Sequence, residues 1–261
     1  MKLDSPNINV MVKACRKAAK VIIRDFGEVE NLQVSLKGPG DYVTASDKKV
    51  EKILIEELQK ARPNYSILSE EIGQISNEEE YRWIIDPIDG TANFLHGIPH
   101  FAISIGLEKN KEIVSGIIYD PIKDEMFVAE KGSGSYLNNH RLRVSNRSRL
   151  KNCIVFTGGP RQNANKKEIS LEEYKKFSSI VETPIRKMGS AALDMAYVAA
   201  GRCDGFWQRN LNYWDIAAGI ILIKEAGGFV TDFDGNADFI KNETILATNS
   251  RINDEMIEVL K

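Results

Sequence analysis

The chain has 261 residues, 43% of them hydrophobic and 28% charged, with 35 Lys and Arg against 37 Asp and Glu. These proportions exclude a disordered or fibrous chain, and the near-even charge leaves no global field that would gather nucleic acid or coat a membrane. Cys15, Cys153 and Cys203 are far apart, odd in number and without CxxC spacing, which points away from a disulfide framework or a zinc site and toward a reducing compartment.

Near the N-terminus Lys13, Arg16, Lys17 and Lys20 interrupt the single apolar candidate, and no later stretch approaches the ~20 apolar residues a membrane span needs. A cytoplasmic protein without membrane contact is expected. Residues 9–26 place Met11, Ala14, Ala18 and Ile22 at three- and four-residue intervals, which predicts an amphipathic helix. A loop at Gly38-Pro39-Gly40 precedes a second helical pattern through Val50, Ile53, Leu54 and Leu58. Thr44 with Asp47 three residues on resembles an acidic capping box, which predicts Asp47 in the first turn.

From Arg82 the pattern changes: Trp83-Ile84-Ile85 predicts a short strand that stops at Asp86-Pro87, where proline forbids further ladder pairing. Phe101, Ile103, Ile105 and Leu107 alternate with smaller residues, and a polar turn at 109–112 leads into 114–119, an antiparallel hairpin. Residues 126–129 add the next strand. The second half reads as strand 154–156, helices 171–181 and 191–200, a short strand at Phe206-Trp207, and helix 214–226 ending at Gly227-Gly228. Strands at 229–233 and 245–247, around the turn Asp234-Gly235, complete the pattern. With no repeat or long linker, residues 1–261 read as one domain, with 1–145 and 146–261 as candidate subdomains. Hairpins mixed with helices favour layered α+β packing over a doubly wound sheet.

The string Trp83-Ile-Ile-Asp86-Pro87-Ile88-Asp89-Gly90-Thr91-Ala-Asn93-Phe94 is the most informative stretch. Asp-Pro and Asp-Gly are ordinary turn formers. Here, however, two carboxylates leave a strand end three residues apart, with Pro87 stiffening the backbone and Gly90 allowing close approach. Converging carboxylates repel unless a cation lies between them, and oxygen ligands alone select a hard ion such as Mg2+. If a short helix begins at Thr91, the amides of Gly90 and Thr91 face the same space and suit a phosphate. Glu70, after the apolar run Ile67-Leu68, and Asp215, at a helix start, are candidates to complete the ligand set.

Taken together these residues resemble the inositol monophosphatase family, within the lithium-sensitive, magnesium-dependent phosphatases, and most closely its bacterial extragenic suppressor branch. The resemblance rests on Asp41 to Asp47, Ser69-Glu70-Glu71, Trp83 to Phe94, Gly97-Ile98-Pro99-His100-Phe101, Gly189-Ser190-Ala191, Asp204-Gly205-Phe206, Trp214 to Gly219 and Glu225 to Gly228. It implies a layered αβαβα sandwich of the inositol monophosphatase and fructose-1,6-bisphosphatase type. It further implies that Glu70, Asp86 and the Ile88 carbonyl hold one Mg2+, that Asp86, Asp89 and Asp215 hold a second, and that a third, weaker ion sits beside Glu70. Asp47 and Thr91 would then orient and deprotonate the attacking water. Gly90, Thr91, Gly189, Ser190, Ala191, Gln208 and Asp215 would line the phosphate and alcohol side.

One position departs from the family pattern. Seven residues before Asp215, where members of the resembled family usually carry a glutamate, this chain has Gln208, which removes a charge and adds donors. The implied reaction is hydrolysis of myo-inositol 1-phosphate or a similar polyol or sugar phosphate. A 3'-phosphoadenosine nucleotide, fructose-1,6-bisphosphate or histidinol phosphate are alternative substrates. A homodimer, lithium inhibition and contact with the transcription or ribosomal-RNA-processing machinery are further implications of the family.

His96 and His100 flank Gly97-Ile98-Pro99 near the acidic loop, without the spacing of a zinc helix, and read as loop or core histidines. The acid-free run from Arg141 to Lys151 reads as a solvated face, because it lacks the interleaved aromatics of a base-stacking surface.

Overall fold

The computed structural model describes residues 5–28, 34–38, 41–158 and 164–261; Pro39 and Gly40 of the expected loop lie outside them. In chain order the first elements are α1 (Pro6–Phe26), β1 (Val34–Gly38), β2 (Asp41–Thr44), α2 (Ala45–Ala61), β3 (Tyr65–Ser69), β4 (Gly73–Ile75), β5 (Glu78–Asp89) and α3 (Thr91–Leu95). Then come β6 (Ala102–Lys109), β7 (Glu112–Asp120), β8 (Glu125–Glu130), β9 (Gly134–Leu137), β10 (His140–Arg141) and β11 (Val155–Thr157). The remainder is α4 (Ala164–Ile180), α5 (Ala191–Ala199), β12 (Gly205–Arg209), α6 (Tyr213–Glu225), β13 (Phe229–Thr231), β14 (Thr244–Thr248) and α7 (Asn253–Leu260).

An eight-stranded sheet has the order β10-β9-β8-β7-β6-β5-β3-β4, and a four-stranded sheet the order β11-β12-β14-β13. Alternation along the strands divides the core among three clusters and so defines five layers. On one face of the large sheet Trp83, Ile85, Ile103, Ile105 and Ile117 pack with Met11, Ala18 and Ile22 of α1 and Leu54 and Leu58 of α2. On the other face Ile84, Ile118 and Phe127 pack with α5 and α6, whose far side meets Phe206, Ile245 and Ala247 of the small sheet. The opposite face of that sheet, Val155, Trp207 and Leu246, buries Phe177 of α4 and Met256 and Leu260 of α7. This is the expected αβαβα layering. Trp83-Ile84-Ile85 is continuously apolar because both faces of β5 are covered.

The helices start where their caps dictate. At α1, Ser5 accepts from the Ile8 amide and Pro6 occupies the first position. At α2 the capping box of Thr44 and Asp47 is complete. The hairpin turn between β6 and β7 places Asn110 and Lys111 at φ 50° and 65°, the left-handed pair of a type I′ turn.

One expectation needs correction. The strand does not stop at Asp86-Pro87: β5 runs on to Asp89. Its pairing with β6 goes from Asp86↔Ser104 to Asp89↔Ala102 across an irregularity, while pairing with β3 ends at Ser69↔Ile85. Proline is tolerated because it falls in a bulge, beyond the last residue that β3 pairs. The bulge carries both aspartates of the motif.

Candidate metal and catalytic site

Asp86, Asp89 and Asp215 are all buried, and one carboxylate oxygen from each lies within 4.8 Å of the others. Each side chain is aimed by a backbone amide. The Asp86 Oδ1 accepts from the Ile88 N–H at 3.1 Å, a local turn that Pro87 favours. Asp215 sits at the third position of α6, where its Oδ2 accepts from the Asn212 N–H at 2.8 Å in a capping box. The Asp89 Oδ2 reaches across the fold: it accepts from the Ser190 hydroxyl at 2.5 Å and the Ala192 N–H at 2.7 Å, at the start of α5.

Three buried carboxylates at this spacing cannot all be ionised without a compensating charge. The donor set is entirely oxygen, which suits a hard divalent cation rather than a thiophilic one. The residues present therefore fit a metal centre. Glu70 follows β3 directly, and its N–H donates to the Ile85 carbonyl at 3.3 Å, which ties it beside Asp86. It lies outside the close triad.

Thr91, which opens α3, meets Asp47 in the first turn of α2. The Thr91 hydroxyl lies 3.0 Å from the Ile88 carbonyl and 3.3 Å from Asp47 Oδ1, while Asp47 Oδ2 accepts from both the N–H and the hydroxyl of Thr44. Burial pushes the Asp47 carboxyl up to about 6, against the opposing pull of the Thr44 donors. Gly90, between Asp89 and α3, adopts φ 98°, and a Cβ there would meet the His100 carbonyl at 3.1 Å and the Gly189 carbonyl at 3.2 Å. Only glycine satisfies both the torsion and the space.

The residues expected to line the alcohol side are placed as follows. Gly189 is exposed, Ser190 and Ala191 are buried, and the Ser190 hydroxyl is engaged with Asp89. Gln208 lies in β12 opposite Ile245 and is 9% exposed. A Cβ at Gly158 would fall 2.0 Å from its Oε1, so the absence of a side chain there accommodates the amide.

Asn93 was part of the motif string but received no role from sequence reasoning. Its Nδ2 donates to the carbonyls of His100, at 2.7 Å, and Met188, at 2.8 Å, clamping the segment after α3 to the segment before α5. The signal available was an amide directly after the acidic loop, which offers donors a carboxylate lacks. In the basic run, Arg147 donates to buried Asp204 at 3.1 Å and Lys151 pairs with Glu182 at 3.4 Å. Both basic side chains are still exposed, as are Arg141, Arg143 and Arg149, so the run is a solvated face.

Behind this clamp His100 Nε2 and Asp194 Oδ1 are 3.8 Å apart, both buried and neither with a hydrogen-bond partner. Burial raises the Asp194 carboxyl well above its ordinary range and lowers the His100 imidazole. Because the folded-state value of Asp194 lies above the unfolded one, its contribution to stability is complete below about pH 4 and is lost as pH rises. Asp194→Asn should therefore gain thermal stability relative to the parent chain as pH rises from 4 to 7. Melting curves across that range check this, and a pH-independent difference would contradict it.

The sequence signature of the inositol monophosphatase family matches residues 4–260. An inositol-1-monophosphatase from Mesorhizobium japonicum is 50% identical over 255 residues, covering 97% of this chain and 96% of that protein. A Nus factor SuhB from Pseudomonas aeruginosa is 41% identical over 252 residues, covering 94% of this chain and 92% of that one. The crystal structure of the extragenic suppressor protein suhB from Bartonella henselae superposes with a TM-score of 0.95 at 52% identity, covering 98% of this chain and 99% of that chain.

Proposed function

The chain belongs to the inositol monophosphatase family and is a phosphoric monoester hydrolase, and we propose that it uses Mg2+ to hydrolyse a small polyol or sugar phosphate, myo-inositol 1-phosphate foremost. The observation that carries this reading is the convergence of Asp86, Asp89 and Asp215 in an all-oxygen, buried cluster. Together with Glu70 and the Ile88 carbonyl, these residues would hold two or three ions. Bound there, Mg2+ would supply positive charge to offset developing charge on a transferring phosphoryl group and would make water more acidic.

The chain's own residues handle the proton. The Thr91 hydroxyl donates to one acceptor at a time, Asp47 or the Ile88 carbonyl, and its oxygen is then able to accept from an attacking water. When Thr91 donates to Asp47, the hydroxyl oxygen would take a proton from the water as its own proton passes to Asp47, which is held by Thr44 and becomes neutral. Gly90 and Thr91 would meet the phosphate, and Gly189, Ser190, Ala191, Gln208 and Asp215 the alcohol side. A panel of phosphate esters assayed with and without Mg2+, and with added Li+, tests the reading. Phosphate release that is undiminished in EDTA would sink it.

Gln208 is the proposed selector of the alcohol. Gln208→Glu is expected to change relative kcat/KM among polyol phosphates by about tenfold, the scale of one altered polar contact, while leaving the Mg2+ requirement unchanged. If the ranking of substrates stays the same, Gln208 does not touch substrate.

A second reading is favoured by the relatives named Nus factor SuhB, among them one from Escherichia coli at 38% identity. We propose contact with the transcription machinery as a role separable from hydrolysis, which predicts binding that survives Asp89→Asn. The family resemblance also leads us to propose a homodimer, which sedimentation would reveal. Among the described residues no helix is long and apolar enough to cross a membrane.

A further inference from the structure

Helix α2 is buried along Val50, Leu54, Ile55 and Leu58, yet Glu51 on the same helix is also buried. A buried carboxylate persists only where donors meet it. The Glu51 Oε1 accepts from the Ser69 hydroxyl, from the Glu71 N–H at 3.0 Å and from the Ile72 N–H at 3.2 Å. These three donors bracket Glu70 in the chain. The Glu70 N–H itself donates to Ile85 of β5, so the turn after β3 is held by the sheet on one side and by α2 on the other.

Asp47 and Glu51 are four residues apart, which puts them on one face of the helix. Asp47 reaches Thr91, and Glu51 reaches the turn that carries Glu70. A single rigid helix thus touches two limbs of the site that are separate in sequence.

We propose that Glu51 is a positioning residue that sets Glu70 in register with the Asp86 triad, acting through the hydrogen bonds its buried oxygen accepts from residues 69–72. The proposal rests on the reading of Glu70 as a metal ligand. Positioning groups behind metal ligands are typically worth about 10- to 100-fold in metal affinity.

Calorimetric titration of Mn2+ into the full chain provides the test, with circular dichroism to establish folding. Glu51→Ala is expected to weaken the Mn2+ isotherm by about tenfold or more. Glu51→Gln retains an acceptor oxygen and is expected to restore binding to within about threefold of the parent. Ser69→Ala, which removes one donor, should fall between them.

A folded Glu51→Ala variant with a parent-like isotherm would overturn the proposal, as would Glu51→Gln binding no better than Glu51→Ala. Should Glu51→Ala not fold, a parent-like isotherm for Ser69→Ala overturns it equally. Glu70→Gln distinguishes loss of the ligand from loss of its positioning. A parent-like isotherm there removes Glu70 as a ligand and the proposal with it. A weakened isotherm there, beside a parent-like Glu51→Ala, overturns only the role of Glu51.

Discussion

Asp89→Asn should lower phosphate release by about 10³-fold or more, equivalent to about 4 kcal/mol of transition-state stabilisation, while leaving the fold intact. The reason lies in what holds the Asp89 carboxylate. Its Oδ2 faces two donors, the Ser190 hydroxyl and the Ala192 N–H, so an asparagine must turn its carbonyl oxygen toward α5. Its NH2 then points toward Asp86 and Asp215, where it offers donors to two carboxylates and blocks a cation. Without metal the variant should therefore melt at or above the parent temperature, because it relieves like-charge repulsion. The proposed site also predicts that Mg2+ raises the melting temperature of the parent and leaves that of the variant unchanged. Activity near the parent level, or an unchanged response of melting to Mg2+, would remove Asp89 from the metal site.

Gly116→Ala is expected to cost about 3 kcal/mol, the upper end for overpacking a close-packed interior, and to lower the melting midpoint by on the order of 10 °C. Gly116 lies in β7 where α6 crosses the sheet, and a Cβ there would stand 2.7 Å from Ile221 Cγ2 and 2.9 Å from both Cα and O of Ala218. Two of those atoms are helix backbone and cannot rotate aside. The helix must lift, and α6 carries Asp215, so Mg2+ affinity should weaken together with stability. Gly106→Ala, whose nearest contact is the Ala217 Cβ at 3.0 Å, should cost much less. Urea unfolding of the two variants beside the parent decides the matter; a parent-like midpoint for Gly116→Ala would mean that α6 is not seated on this glycine.

Local signals in the sequence carried most of the elements around the site. The capping box at Thr44 and Asp47 forms as read, and the periodic apolar residues of α1 and α6 face the core. Helix α7 was missed although Ile252, Met256 and Leu260 recur at four-residue spacing, because a short terminal helix yields only two turns of pattern. The extension of β5 through Pro87 was illegible, since a bulge depends on how β6 pairs and not on the residues that bulge. Asp86, Asp89 and Asp215 were legible as candidates from residue type and motif. What aims Asp89 was not: Ser190 and Ala192 stand about a hundred residues away in the chain, and nothing in their identity points at a carboxylate. Glu51 was invisible for a related reason, since one Glu among many on a charged helix carries no mark of being buried.

Asp89 and Asp215 belong to different layers, one at the end of a strand of the large sheet and one opening the helix packed on it. A cation bound between them would act as a removable cross-link, closing a loop of more than a hundred residues. Its effect on the folded fraction follows mass action: above the dissociation constant, each tenfold rise in free metal adds about 1.4 kcal/mol per ion. Packing faults under α6 and the supply of divalent ions then act on the same equilibrium. A chain weakened at Gly116 should recover part of its melting temperature simply by being given more metal.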